Sequence, residues 1–207
     1  MNAAQPTDRR ARRKAETREK LLEAARGVFA RQGIETTRIN ELTDAANVGF
    51  GSFYNHFDSK DAIVAAVVEE TARDVGAAID VATVHLEDPA EIVAVSHRVL
   101  VGLAIADPEL GWLLVRLELT HGVVSRGLGA YAARDLDLGR TRGRFAIDDV
   151  PLTLASTGGA LLGAMRALLA GHPPEGTAER HAAAVLRILG LDVGEADEIA
   201  SRPMPPI

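Results

Sequence analysis

Residues 36–60, TTRINELTDAANVGFGSFYNHFDSK, set two short amphipathic segments around a tight turn and then open a third. Thr36 and Thr37 are residues of the N-capping type ahead of the apolar positions Ile39 and Leu42. Ala45, Ala46 and Val48 close that pattern. Asn47 falls at the turn, and Asn tolerates the left-handed backbone better than most residues. Gly49 and Gly51 then introduce a compact run carrying Phe53, Tyr54, His56 and Phe57. Two short helices joined in this way predict a helix-turn-helix, a unit whose second helix lies in the DNA major groove.

Outward from this unit the pattern stays helical. Leu21, Leu22, Ala25, Val28 and Phe29 lie on one face of a helix predicted over 17–32, and Gly33 suits its end. Asp58 or Ser59 can cap a fourth helix, long enough to join the head to a second unit. Further helices are expected over 90–106, 109–120, 123–138, 149–170 and 177–189. The breaks between them are Asp107-Pro108, His121-Gly122, Leu138-Gly139 and the run from Gly171 to Pro174. The 123–138 segment contains Gly127 and Gly129, both unfavourable in a helix. No stretch alternates as a strand does. The expected fold is all-α: a three-helix DNA-binding head, a long connecting helix, and a C-terminal helical domain. The boundaries are a flexible basic arm at 1–16, the head at 17–60, the second helical domain at 61–190, and a tail at 191–207.

Charge is divided along the chain. Residues 1–60 carry 11 Lys/Arg against 8 Asp/Glu, the remainder 12 against 21, for a net charge of −6. Only the N-terminal part is therefore expected to approach nucleic acid. The run Arg9, Arg10, Arg12, Arg13, Lys14, Arg18 and Lys20 suits phosphate contact or plain solubility in equal measure. With no cysteine there is no disulfide, thiolate metal site or thiol nucleophile. The basic N-terminus is not followed by an apolar segment, so no secretory signal is expected and the chain is placed in the cytoplasm.

The sequence resembles the tetracycline-repressor (TetR) family of transcriptional regulators. The resemblance rests on Thr36-Thr37, Ile39, Ala46, Val48, Gly51, Phe53-Tyr54, His56-Phe57 and Ser59-Lys60, and covers residues 17–65. Thr43, Asn47 and Gly49 stand where that family usually has Ala, Gly and Ser. The resemblance implies a homodimeric, ligand-responsive repressor that binds a near-palindromic double-stranded operator and releases it when a small-molecule effector binds the C-terminal domain at 61–190, which also dimerises. It also implies roles for individual residues. Thr37 and Arg38 would hold phosphate, Gly49 and Gly51 would permit close backbone approach, and Phe50 and Ser52 would reach the groove. Tyr54, His56 and Lys60 would be phosphate ligands, with Asn55 adding a polar contact. Phe53 and Phe57 fit the head core better.

Ala155, Gly159, Gly163 and Ala167 recur every four residues, a stripe that permits close helix approach. The family dimerises through its last two long helices, so Ala155, Gly159, Leu162, Gly163, Met165, Ala167, Val185 and Leu189 become candidate interface residues. The same spacing occurs in membrane helices, but Asp149 and Arg166 leave about 16 uncharged residues between them, short of a span. No membrane partner is expected. His97, Leu100, Trp112, Arg116, Glu118, His121 and Tyr131 are the side chains best suited to an effector pocket, and Arg116 would favour an anionic ligand if it faced inward.

Other chemistry finds little support. Gly127-x-Gly129-x-x-Ala132 matches a loose dinucleotide fingerprint without the strand it needs. Glu118 and His121 form one Glu-x-x-His pair, where a di-iron bundle needs two. No G-x-S-x-G or H-E-x-x-H occurs. Neither enzyme activity nor a cofactor or metal is expected. The alternatives are a helical enzyme or metal protein built on Glu118 and His121, or a constitutive DNA-binding or architectural protein without an effector. Activation in place of repression stays open as well.

Overall fold

Gly33 fixes the first corner of the computed structural model, which describes residues 6–121, 128–171 and 174–205. It ends helix α1 (Pro6–Gln32) at φ 85°, and its N–H bonds the Phe29 carbonyl at 2.9 Å. Thr36 and Thr37 close the same corner, their hydroxyls donating to the carbonyls of Gln32 (2.7 Å) and Gly33 (2.6 Å). They therefore finish α1 and do not start α2 (Ile39–Ala45), contrary to the capping expected of them. The N-cap is Arg38, whose backbone N–H donates to the Glu41 carboxylate at 2.7 Å. The hydroxyls lie within reach of the orphan carbonyls at the end of α1, and the longer Glu41 side chain serves the next helix. The α1 helix also starts earlier than expected: the basic stretch is helical from Pro6, a residue well suited to the first helical position.

Asn47 makes the predicted turn at φ 52°. Helix α3 (Phe50–Phe53) follows, and α4 (Lys60–Thr83) is capped by Ser59, whose hydroxyl accepts from the Ala62 N–H at 3.1 Å. The head closes on Phe29, Leu42, Phe53, Phe57 and Ile63. Leu113 and Leu117 of α6 (Pro108–His121) belong to the same buried cluster, so the head shares its core with the rest of the molecule.

In the body, α5 (Pro89–Ala106) packs against α4, α6, α7 (Gly129–Thr141), α8 (Val150–Leu169), α9 (Thr177–Ile188) and α10 (Val193–Ser201). By length and composition α5 and α8 could each cross a membrane, but α5 is the central helix of this body. Among the described residues there is no strand. Asp88, Asp149 and Asp192 cap α5, α8 and α10 with their carboxylates.

The expected break at Leu138-Gly139 is absent: α7 continues to Thr141. Gly139 is small because the buried Phe145 ring lies against it, and a Cβ there would collide with that ring. The chain turns instead at Gly143, at φ 66°. Residues 123–127 of the helix expected over 123–138 lie outside the described residues. The stretch expected as a tail from 191 forms α10, with Ala196, Ile199 and Ala200 buried. Two arginines fasten it. Arg144 bridges Asp88 (2.9 Å) and Glu195 (2.8 Å), while buried Arg98 donates to the Arg202 carbonyl (2.6 Å) and to Glu179 (3.0 Å).

Candidate nucleic-acid interface and effector cavity

The outer face of the helix-turn-helix is built from residues with no internal task. Phe50, the first residue of α3, is 54% exposed and meets Tyr54 edge-on at 5.7 Å. Tyr54 is itself 50% exposed and packs its ring edge on buried Phe53 at 5.4 Å, which leaves its hydroxyl outward. A Cβ at Gly49 or Gly51 would meet nothing within 4 Å, so nothing inside the fold demands glycine at either place. Arg38 and Asn55 are exposed, and Ser52 is half-buried. Phe53 and Phe57 are head core, as their spacing predicted.

Three expected phosphate ligands sit differently. Thr37 is 2% exposed with its hydroxyl committed to Gly33, which takes that hydroxyl away from the surface. Lys60 donates to the carbonyls of Ile34 (3.0 Å) and Thr37 (3.1 Å), clasping the corner between α1 and α2. An ammonium has three donors, so one is left. His56 keeps Nδ1 buried without a protein partner, and burial with the charges of Lys14 and Arg18 holds its pKa below the ordinary value. Arg18 stacks over Phe57 at 5.3 Å and bridges Glu70 at 3.1 Å. It supports the head from α1.

Behind the head, α4, α5, α7 and α8 enclose a cavity of about 910 Å³, with Glu118 of α6 also in its wall. Of the predicted pocket residues, His97, Leu100, Glu118 and Tyr131 line it. Trp112 and Arg116 do not. The Arg116 guanidinium lies 5.5 Å from the centre of the Trp112 ring, beside Gly33 at the end of α1, and Trp112 packs against the head core. The pair belongs to the seam between head and body, so the anionic ligand expected of an inward Arg116 loses its basis. His121 ends α6, and its side chain lies outside the described residues, as does any pairing with Glu118. Among the described residues no three His, Asp or Glu side chains gather as metal ligands. In the cavity wall His97 is paired with His181, a residue that does not itself line the cavity. His97 Nδ1 lies 3.1 Å from His181 Nε2. Burial and its partner push His97 down to about 3, and burial lowers His181 as well, so the surroundings favour the neutral form of each ring.

On α8 the small stripe is open: Ala155, Gly159, Gly163 and Ala167 are all exposed, with Leu162 half-buried. Met165 (1% exposed), Val185 and Leu189 (both 0%) are core residues of this protomer and leave the candidate interface. The helix that carries the stripe and the helix beside it turn these three residues into the protomer. Leu152 on the same helix and Ile188 on α9 are exposed as well.

Comparison with known proteins decides the family. Residues 21–67 match the family described as bacterial regulatory proteins, tetR family, and residues 88–202 match the tetracyclin repressor-like C-terminal domain. The crystal structure of RolR in complex with resorcinol is 38% identical, covers 95% of this chain and 99% of that one, and superposes with a TM-score of 0.76. The chain belongs to the TetR family of transcriptional regulators. Among TetR repressors, KstR2 of Rhodococcus jostii is 41% identical over 51 residues, and this match spans about a quarter (25%) of its length. AcnR of Corynebacterium efficiens is 27% identical over 172 residues, 79% of this chain and 87% of that one.

A TetR head is legible because its signals are local, whereas several cavity residues were missed. Ser96, Asp135 and Thr157 line the cavity without any motif of their own. On α4, Ala72, Gly76 and Ile79 supply part of the wall at i, i+4, i+7 spacing, a signal present in the sequence but readable only once that face has a neighbour.

Proposed function

We propose that this TetR-family chain is a homodimeric cytoplasmic repressor that releases a near-palindromic operator when a small molecule fills the cavity. The supporting observation is that one molecule carries both an exposed recognition face and a large, mostly apolar cavity, coupled through a shared core. The open stripe on α8 supports pairing with a second copy there, which would set two heads on successive major grooves of the same DNA face. Arg38, Phe50, Ser52, Tyr54, Asn55 and Lys60 supply the groove and phosphate contacts, and Gly49 and Gly51 admit the backbone of the DNA closely. RolR is seen with resorcinol, which supports a small aromatic effector for this chain also. No catalytic step is part of this reading.

Effector and operator are linked: a ligand that weakens DNA binding must itself bind more weakly to the DNA-bound form by the same factor. Footprinting on fragments of the surrounding genome, with wild type and Tyr54→Ala at two salt concentrations, tests the proposal. A protected two-fold symmetric site, weakened by the variant and by salt, supports it. Protection without sequence preference favours an architectural DNA binder, and no protection by the folded dimer rejects DNA recognition.

A further inference from the structure

The polarity of the cavity wall is one-sided. Ser96 donates its hydroxyl proton to the Ile92 carbonyl at 2.8 Å, and Thr157 commits its own to the carbonyls of Thr153 (3.0 Å) and Leu154 (3.2 Å). Each therefore offers only an oxygen lone pair to anything in the cavity. Asp80, Glu118 and Asp135 add carboxylates, which accept and do not donate, that of Asp135 being paired with Arg134 at 2.9 Å. Arg73 and Tyr131 are exposed, and Arg73 is already paired with Glu69 at 2.9 Å. Against this wall stands His97. Its Nδ1 is taken by His181; among the described residues its Nε2 has no protein partner, and the ring lines the cavity.

We propose that His97 is the specificity-determining group of this cavity, its Nε2 accepting a hydrogen bond from a hydroxyl of an uncharged effector rich in donors. This rests on the effector reading above and gives it a chemistry. In the proposed tautomer His97 donates Nδ1–H to His181 Nε2, and its outward nitrogen is one more acceptor in a wall of acceptors. His181 acts behind it as a positioning residue that fixes the tautomer, as a second partner fixes any histidine whose two nitrogens have different roles. An anionic ligand would face the three carboxylates of the wall, and a purely apolar one would leave buried lone pairs unmatched.

The test uses full-length protein and three probes: resorcinol, its dimethyl ether 1,3-dimethoxybenzene, which has the same ring and no hydroxyl donor, and the cation phenyltrimethylammonium. Calorimetry should show resorcinol binding at least tenfold tighter than the ether. His97→Leu should weaken resorcinol at least tenfold and leave the ether unchanged. His97→Gln, whose amide oxygen also accepts, should restore part of the loss, and His181→Phe should fall between wild type and His97→Leu. Side-chain ¹⁵N spectra should show Nε2 of His97 unprotonated in the free protein and shifted by resorcinol. Equal affinity for ether and resorcinol, or full affinity in His97→Leu, overturns the proposal while leaving the cavity as an effector site. Tighter binding of phenyltrimethylammonium than of resorcinol also overturns it, in favour of a cationic effector. If none of the three probes binds, the proposal falls, and footprinting on the same preparation still reports operator recognition independently.

Discussion

Lys60 answers to two demands at once. Two of its three ammonium donors hold the corner carbonyls of Ile34 and Thr37, and the third is left for a phosphate. Lys60→Ala should therefore lower the stability of the protein by about 1–3 kcal/mol as well as weaken DNA binding. Tyr54→Phe removes only an outward hydroxyl and should cost operator affinity about five- to tenfold with an unchanged melting curve. Paired melting and binding titrations separate the two. His97 makes a pH prediction. Its folded pKa of about 3 lies below the unfolded value near 6.5, so its contribution is complete above pH 6.5 and is lost as pH falls toward 3. At pH 5.5 the unfolded chain has taken up a proton there and the folded chain has not, which costs about 1.4 kcal/mol. Denaturation at pH 7.5 and 5.5 should show wild type losing this much more than His97→Gln; equal losses would mean that His97 titrates normally in the fold.

Helix α7 shows how far an element can be read from its own residues. Glycine inside a helical pattern signals a stop, and Gly33 obeys that rule at φ 85°. Gly139 does not, because its smallness answers to the Phe145 ring from the next loop, a contact that no window around residue 139 contains. Gly139→Ala is expected to destabilise by about 1–3 kcal/mol despite alanine's higher helix propensity, since Phe145 is buried and has little room to retreat. A raised melting temperature would show that the ring gives way. The helix-turn-helix was legible for the opposite reason: Asn47 and Ser59 act on backbone groups within a few residues of themselves. Trp112, Arg116, Met165, Val185 and Leu189 were misassigned because helix periodicity defines faces without saying which neighbour each face meets.

At the scale of the molecule, the core shared between α1, α4 and α6 makes head and body one mechanical unit, so occupancy of the cavity can bias head position without a hinge of its own. The proposed pairing of two copies has a direct check. A Cβ at Gly163 meets nothing within 4 Å in the protomer, so Gly163→Leu should fold normally yet hold a second α8 at a distance. Light scattering should then show the mass falling from a dimer toward the 22.0 kDa chain, with operator affinity lost in step. An intact dimer in this variant would move the interface elsewhere.

Ala155 and Gly159 lie on the exposed stripe and also in the cavity wall. Any substitution there that retunes ligand choice would reshape the surface offered to a second copy. After gene duplication, two descendants diverging in ligand through these positions would stop cross-pairing as a by-product, each acquiring its own signal and its own mate in the same step.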